Sequence, residues 1–302
     1  MFTQPVSDLI RQRRSCRTFS AAAINSGQWQ QIRGYFETIS VPFANHVRLD
    51  VVDGEQVKSD NFFSTGTYGM IKGARFYIAG IIAKHADRGW EDAGFALEAA
   101  TLKCTDLGLG ACWIGGVFDR KRFGRQLGLR PDEILPAVVA VGHAAEKASF
   151  RDLIVRRGAH GDQRKPPGQL FFKGSLSLPL NYSEWPEFRE VLENVRLAPS
   201  ASNKQPWRII VNGSRFHFFL DRDRAYRRLM PAADLQRMDM GIAMCHFQLS
   251  AREAGWKGKW QMNQPAIPVI PDNFEYIVSY QRTSQPSPGG KVSSSRRGDP
   301  RH

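Results

Sequence analysis

Cysteine is scarce in this chain. The four present, Cys16, Cys104, Cys112 and Cys245, form no CxxC pair. That excludes a disulfide scaffold or a zinc ribbon and suits a reducing cytoplasm. No run of eighteen or more uncharged apolar residues occurs, so no segment is expected to span a membrane. The opening stretch MFTQPVSDLIRQRR places no apolar core before its charges, and no secretory signal is expected. Metal patterns are missing as well. His85, His143, His217 and His246 show no HxxxH or His–carboxylate spacing, and each reads as a satisfied core or surface histidine. There is no GxSxG, HExxH or P-loop string, and no RNP, zinc-finger or helix-turn-helix signature.

What remains is ample for a packed enzyme-sized fold. The 302 residues are 42% hydrophobic and 11% aromatic, enough for a real core. The net charge of +13 admits nucleic acid, membrane surfaces or phosphorylated ligands as partners. Part of that charge is uninformative. Residues 282–302 hold Arg282, Lys291, Arg296, Arg297 and Arg301 against Asp299, in a Ser/Pro/Gly/Arg stretch without hydrophobic period. They read as a disordered basic tail.

The sequence repeats itself. Adding 147 to Asp92, Gly94, Ala96, Leu102, Gly108 and Trp113 gives Asp239, Gly241, Ala243, Leu249, Gly255 and Trp260. Both segments read as a long helix stopped at a glycine and followed by a strand bearing Trp. Upstream, Trp29, Ile32, Phe36 and Ile39 lie on one helix face. Adding 156 gives Trp185, Phe188, Leu192 and Val195, with the same spacing. Strands are expected at 46–52, 75–82, 136–142, 207–211, 216–220 and 274–280. Strands and helices mix without strict βαβ alternation, so the fold class is α+β. The expected organisation is a first half at 1–145, a connecting segment at 146–180, a second half at 181–281 and the tail.

Three segments carry chemistry. The first is Arg13-Arg14-Ser15-Cys16-Arg17, after a short apolar-containing helix. Taken alone it reads first as a solvated basic helix end. Its three guanidiniums and hydroxyl also suit a phosphate, through charge-assisted bidentate hydrogen bonds. The second is Pro199-Ser200-Ala201-Ser202-Asn203-Lys204-Gln205-Pro206-Trp207, a Pro-bounded loop of short polar side chains leading into a strand. The third, Gly108-Leu109-Gly110-Ala111-Cys112-Trp113-Ile114-Gly115-Gly116, follows a helix instead of opening one and fails the dinucleotide fingerprint. A helix cap leading into an ordinary strand accounts for it equally well.

Together these segments resemble the nitroreductase family. Arg13–Phe19 looks like its RRSxRxF signature, 199–207 like PSxxNxQPW, and 108–116 like GLGxxWxGG. The resemblance covers roughly residues 6–280 and points to the single-chain tandem type catalogued as "putative TM nitroreductase", where TM does not mean transmembrane. It implies a nitroreductase-like fold and an FMN site. Arg13, Ser15 and the adjacent Arg14 would serve the phosphate or ribityl chain, and Arg17 the N1/O2 edge of the flavin. Gly115 and Gly116 would present a backbone N–H to N5, and Pro199, Ser200, Ser202, Asn203 and Gln205 would contact the flavin from the second half. Arg164-Lys165 looks like the basic pair that returns to the phosphate, with Lys147 and Arg151 as competitors. Thr67–Gly73 would line the flavin's outer edge.

In homodimeric relatives both motifs sit in one subunit. Here the first half has Val41-Pro42-Phe43-Ala44-Asn45-His46 in place of the loop motif, and the second has 172–177 in place of the arginines. The implied architecture is two tandem half-units forming an intramolecular pseudo-dimer with one site, able to bind FMN as a monomer. The implied activity is FMN-dependent oxidoreduction, in which NADH or NADPH delivers hydride to the flavin and a small-molecule electrophile (nitroaromatic, quinone or similar) receives it in ping-pong fashion. The flavin carries the chemistry, so no side-chain nucleophile is expected. Two rival readings belong to other classes. One is a flavin-binding carrier or sensor without turnover; the other is a basic nucleic-acid-associated protein on a degenerate flavin fold.

Overall fold

The computed structural model describes residues 1–57, 71–116, 118–146, 163–267 and 269–283. Its strands form two sheets. In the first, β1 (Arg48–Asp53), β2 (Phe76–Ala83), β3 (Gly110–Ile114) and β4 (Glu133–Gly142) lie in the antiparallel order β1-β2-β4-β3. In the second, β5 (Phe171–Lys173), β6 (Trp207–Asn212), β7 (Arg215–Asp221), β8 (Lys257–Gln261) and β9 (Phe274–Thr283) lie in the order β5-β6-β7-β9-β8. Without β5 the two orders are the same, and adding 147 to the bounds of β3 gives those of β8. β4 reads EILPAVVAVG and is buried on both faces, hence its nearly unbroken apolar run. Its Pro136 has no N–H to give the ladder. It sits where the β2 register shifts between Gly80 and Ile82, as strand prolines require.

The helices are α1 (Val6–Gln12), α2 (Ser26–Phe36), α3 (Gly89–Asp106), α4 (Arg120–Gln126), α5 (Arg189–Arg196), α6 (Arg224–Leu229) and α7 (Leu235–Glu253). α3 packs on the first sheet, α7 on the second, and the two pack on each other. Both are buried almost all round, so neither shows a polar face. The repeat explains their approach. A Cβ on Gly94 would overlap the Met238 carbonyl oxygen, and one on Gly241 would overlap that of Glu91. Adding 147 to 91 and 94 gives 238 and 241, so the two contacts are related by the repeat. Only glycine lets two helix backbones meet this closely.

The same relation governs the loops. Asp92 accepts hydrogen bonds from Phe43 N and Asn45 N, each at 3.0 Å, and Asp239 accepts from Ala201 N at 2.9 Å. Residues 45 and 201 are 156 apart, so the loop at 41–46 is the structural counterpart of the loop at 199–205. The second sheet is backed by an aromatic cluster in which Phe247 stands 5.0 Å from both Phe216 and Tyr280, ring centroid to centroid. Each fully buried Phe there contributes about 1.5–3 kcal/mol.

Four expectations need correction. The helix expected across 185–195 begins later. Pro186 opens a 3-10 turn, Pro186–Phe188, and α5 starts at Arg189. Its counterpart α2 ends at Phe36, short of Ile39. The connecting segment contains β5, which pairs parallel with β6 and extends the second sheet. Residues 172–177 therefore lie beside the β6 edge, whereas Ser15 bridges to Ala111 in β3, at the opposite edge of the other sheet. They are not positional counterparts. β9 runs to Thr283, past the expected boundary at 281. Thr67–Met70, Lys147, Arg151, Arg156–Gly158 and residues 284–302 lie outside the described residues. Among the described residues, no helix is long and apolar enough to cross a membrane.

Candidate active site

The short helix α1 is anchored at its start by both central helices. Glu253, at the end of α7, accepts from Val6 N, from Ser7 N at 3.0 Å and from Ser7 Oγ at 2.7 Å. Asp106, at the end of α3, accepts from Thr3 N at 2.9 Å and Gln4 N at 3.2 Å. Adding 147 to 106 gives 253, so a repeated acidic position grips one segment from two sides. Carboxylates on free helix N–H groups are charge-assisted and stabilising. Beyond α1 the chain turns extended at Arg13. Cys16 N donates to Ala111 O, Lys72 N to Arg17 O and Phe19 N to Lys72 O, all within 2.9 Å. These bonds fix the backbone that carries Arg13, Ser15 and Arg17.

Arg13 is 7% exposed. Its Nε lies 3.8 Å from Glu98 Oε1 and has no hydrogen-bond partner. Burial, above all, pulls its pKa down, and Arg14 adds to this; Glu98 opposes it. Glu98 is itself buried in a network. It accepts from Trp113 Nε1 at 2.7 Å and meets His246 Nε2 at 2.9 Å, while His246 Nδ1 meets Asn194 O at 2.8 Å. Arg14 is exposed, and its guanidinium donates to the Arg11 and Arg13 carbonyls at the end of α1.

The loop from 199 to 205 is tightly wound. Ser202, Asn203 and Gln205 have φ of 50°, 53° and 47°, the left-handed region that costs non-glycine residues energy. Side chains hold them there. Ser200 Oγ accepts from Gln205 N at 2.9 Å, and Asn203 Oδ1 accepts from Arg164 Nη1 at 3.0 Å. Asn203 Nδ2 donates to Gln163 O at 2.7 Å. Residues 163–165 are thereby strapped across the loop.

All these elements border one cavity of about 680 Å³. Arg13, Arg14, Ser15 and Arg17 line it from the first motif. Pro199, Ser200, Ser202 and Asn203 line it from the second, and Gly115, Gly116 and Arg164 line it too. Such a volume is ordinary for a cofactor pocket. Two expected residues are not on its wall, and their role is corrected. Gln205 is 2% exposed and turned inward, accepting from Lys165 N at 2.9 Å and donating to Asn203 Oδ1 at 3.2 Å. It ties the strap to the loop. Lys165 lies behind that tie, its pKa lowered to about 8 by burial first and by Arg208 next. The space at Gly115 is set by a neighbour: a Cβ there would stand 2.6 Å from Leu235 Cδ2.

Sequence reading missed Leu235, Met238, Asp239 and Ile242, which line the cavity from α7, and Tyr226 and Met230 from around α6. A signal for the first four was present: they stand at i, i+3, i+4 and i+7, one helical stripe. Nothing local marks Tyr226 or Met230.

The fold is similar to a solved structure from Thermotoga maritima MSB8, described as a "putative nitroreductase". The two share 19% identity over 93% of this chain and 94% of that one, with a TM-score of 0.56. A nitroreductase of Bacteroides fragilis NCTC 9343 with bound FMN aligns with 49% of this chain and 92% of its own, at 20% identity and a TM-score of 0.40. An FMN-dependent nitroreductase of Clostridium difficile R20291 aligns with 49% of this chain and 95% of its own, at 20% identity and a TM-score of 0.39. Comparison with curated proteins gave no match. The family model described as "Putative TM nitroreductase" matches residues 6–251, most of the chain, and the chain belongs to that family.

Proposed function

We propose that this protein is an FMN-dependent oxidoreductase of nitroreductase type, with NADH or NADPH as electron donor and a small electrophile as acceptor. One observation carries the reading: two motifs separated by more than half the chain line a single cavity. The donor set fits the cofactor. Arg13 holds a buried Nε without a hydrogen-bond partner, and a phosphate suits such a cation. FMN would supply the redox-active ring that takes up and returns hydride.

The chain's own groups bind and polarise. Arg13, Arg14 and Ser15 serve the phosphate and ribityl end, with Arg164 approaching from the strap. Arg17 would stabilise negative charge on a reduced flavin, and the backbone at Gly115 and Gly116 would help hold its ring. Such fixed dipoles and cations act most strongly in a water-poor cleft. Asn203 and Ser200 belong to the second half, so one chain completes the site as a pseudo-dimer and a monomer suffices. The four free cysteines suit a cytoplasmic location.

The test is an absorbance spectrum of the purified protein with the flavin identified after heat release, followed by NAD(P)H oxidation with a nitroaromatic or quinone. Bound FMN and turnover are expected. A colourless protein that does not take up FMN overturns the reading, and bound FMN without turnover makes the protein a carrier.

A further inference from the structure

The two central helices carry aspartates at matched positions, and their hydrogen bonding differs. Asp92 accepts from Phe43 N, Asn45 N and Asn45 Nδ2, each at 3.0 Å, which satisfies both oxygens. Asp239 accepts from Ala201 N through Oδ1, and its buried Oδ2 has no partner. The cause is in the loop sequence. Adding 156 to 43 and 45 gives 199 and 201. Pro199 has no N–H to stand in for that of Phe43. Ala201 has no side-chain amide to stand in for that of Asn45. The half that keeps the cavity loop has lost two donors to this carboxyl.

Asp239 is 3% exposed and lines the cavity. An ionised carboxylate there would leave a buried oxygen unpaired, which is costly. Desolvation raises its pKa well above the carboxylate range, the negative charge of Asp234 adds to the rise, and the Ala201 N–H offsets only part of it. Two arginines close in the chain, Arg237 and Arg227, are paired elsewhere. Arg237 pairs with Glu91 and Glu275, and Arg227 stands 3.6 Å from Asp234. Tyr226, on the same cavity wall, has its phenol pKa raised, mainly by burial. The unpaired buried oxygen and the direction of this shift both favour the neutral acid over the carboxylate.

We propose that Asp239 is the proton donor to the electron acceptor reduced in this cavity. The inference rests on the oxidoreductase reading above. A quinone that takes up a hydride, whose source in the proposed reaction is the nicotinamide nucleotide, gains two electrons and one proton. It is left as an anion one proton short of the hydroquinone. The Asp239 Oδ2–H bond breaks, an O–H bond forms on the acceptor oxygen, and water re-protonates the carboxylate. General acids placed in this way contribute about 10²–10⁴-fold.

Infrared spectroscopy of the cofactor-free protein at pH 7 tests the protonation state directly. A protonated-carboxyl C=O band is expected in the parent protein and absent from Asp239→Asn. Pro199→Ala, which offers Oδ2 an N–H, should make that band ionise at lower pH. On the FMN-loaded protein, Asp239→Asn should slow re-oxidation by 1,4-benzoquinone by about 100-fold, and by more than it slows reduction by NAD(P)H. The solvent isotope effect should rise as water replaces the lost donor. No such band in the parent protein, or unchanged re-oxidation in Asp239→Asn, overturns the proposal. Where Asp239→Asn does not fold, an unmoved band in Pro199→Ala does the same. Failure to hold FMN would instead sink the functional reading, while the infrared result would still decide the state of Asp239.

Discussion

Replacing Arg13 by methionine separates the cost of burying a cation from its value as a phosphate ligand. The guanidinium is 7% exposed, and its nearest acid is 3.8 Å away, beyond hydrogen-bond reach. Removing one member of a buried pair usually costs about 3–5 kcal/mol, because the other is stranded. Here Glu98 keeps Trp113 Nε1 at 2.7 Å and His246 Nε2 at 2.9 Å, so the stranding penalty is largely avoided. Methionine keeps the unbranched apolar stem and sheds the desolvation cost of the charge. Stability without cofactor should therefore change by no more than about 1 kcal/mol, a shift of about 2–4 °C in Tm. FMN binding should weaken by about 1.5–3 kcal/mol, the value of a hydrogen bond to a charged group. That is about 10- to 150-fold in Kd. Riboflavin, which has no phosphate, provides the control: its affinity should be the same in both proteins. Flavin fluorescence titrations and thermal melts measure all three quantities. Equal loss for FMN and riboflavin, or unchanged FMN affinity, refutes the phosphate role.

Gly241→Ala should destabilise by about 3 kcal/mol, because its methyl overlaps the Glu91 carbonyl and the central helices must separate. Gly34→Ala, in α2 with nothing near its Cβ, should instead gain about 0.5–1 kcal/mol in the same urea titration. Asn203→Ala removes the acceptor of Arg164 Nη1 and the donor to Gln163 O. At about 1 kcal/mol for each of the two bonds, FMN should bind about thirtyfold more weakly, with an unchanged Kd refuting the strap's part in the site. His217 is buried against Ser279, and burial first, then Arg215, lowers its pKa to about 4. Between pH 4 and about 6.5 the unfolded chain binds more protons than the folded one, so stability rises with pH across that window. The contribution, on the order of 3 kcal/mol, is complete above the unfolded value and lost toward pH 4. Urea unfolding at pH 7 and pH 5 should show this loss in the parent protein and not in His217→Gln; equal slopes in both would exclude His217 as its source.

The repeat made the central architecture readable, because Asp92, Gly94, Gly108 and Trp113 recur at one offset for reasons of packing and capping. The glycines mark the crossing of α3 and α7, the aspartates hold the two loops, and the bounds of β3 and β8 match at the same offset. Most of the residues nominated from the motifs border one cavity for a different reason: short motifs name backbone-fixed positions, and those survive translation into space. Three things were not readable. β5 is three residues long, too short to show a period. The inward turn of Gln205 depends on a strap at 163–165 that no local pattern connects to it. The Arg13–Glu98–His246 network joins residues 85 and 148 positions apart, and only folding brings them together.

Departures from the repeat say more about function than its fidelity does. Two identical subunits would satisfy or orphan both aspartates alike. Here Asp92 is closed off by three donors while Asp239 keeps one oxygen bare. The position matching Glu98 is Cys245, a thiol buried where a carboxylate would need partners. The loop matching the cavity loop carries Phe43, whose ring lies 6.0 Å from the Arg88 guanidinium. Pro199 and Ala201 offer fewer donors than Phe43 and Asn45, and the cavity side is left with an unmet hydrogen bond at Asp239. A fold under selection for stability alone would be expected to remove such deficits, because each costs about 1–3 kcal/mol. The first half keeps deficits of its own at Arg88 Nη1 and Glu91 Oε2, so what distinguishes the two places is the aspartate: the one on the cavity wall is the one left with an unpaired oxygen.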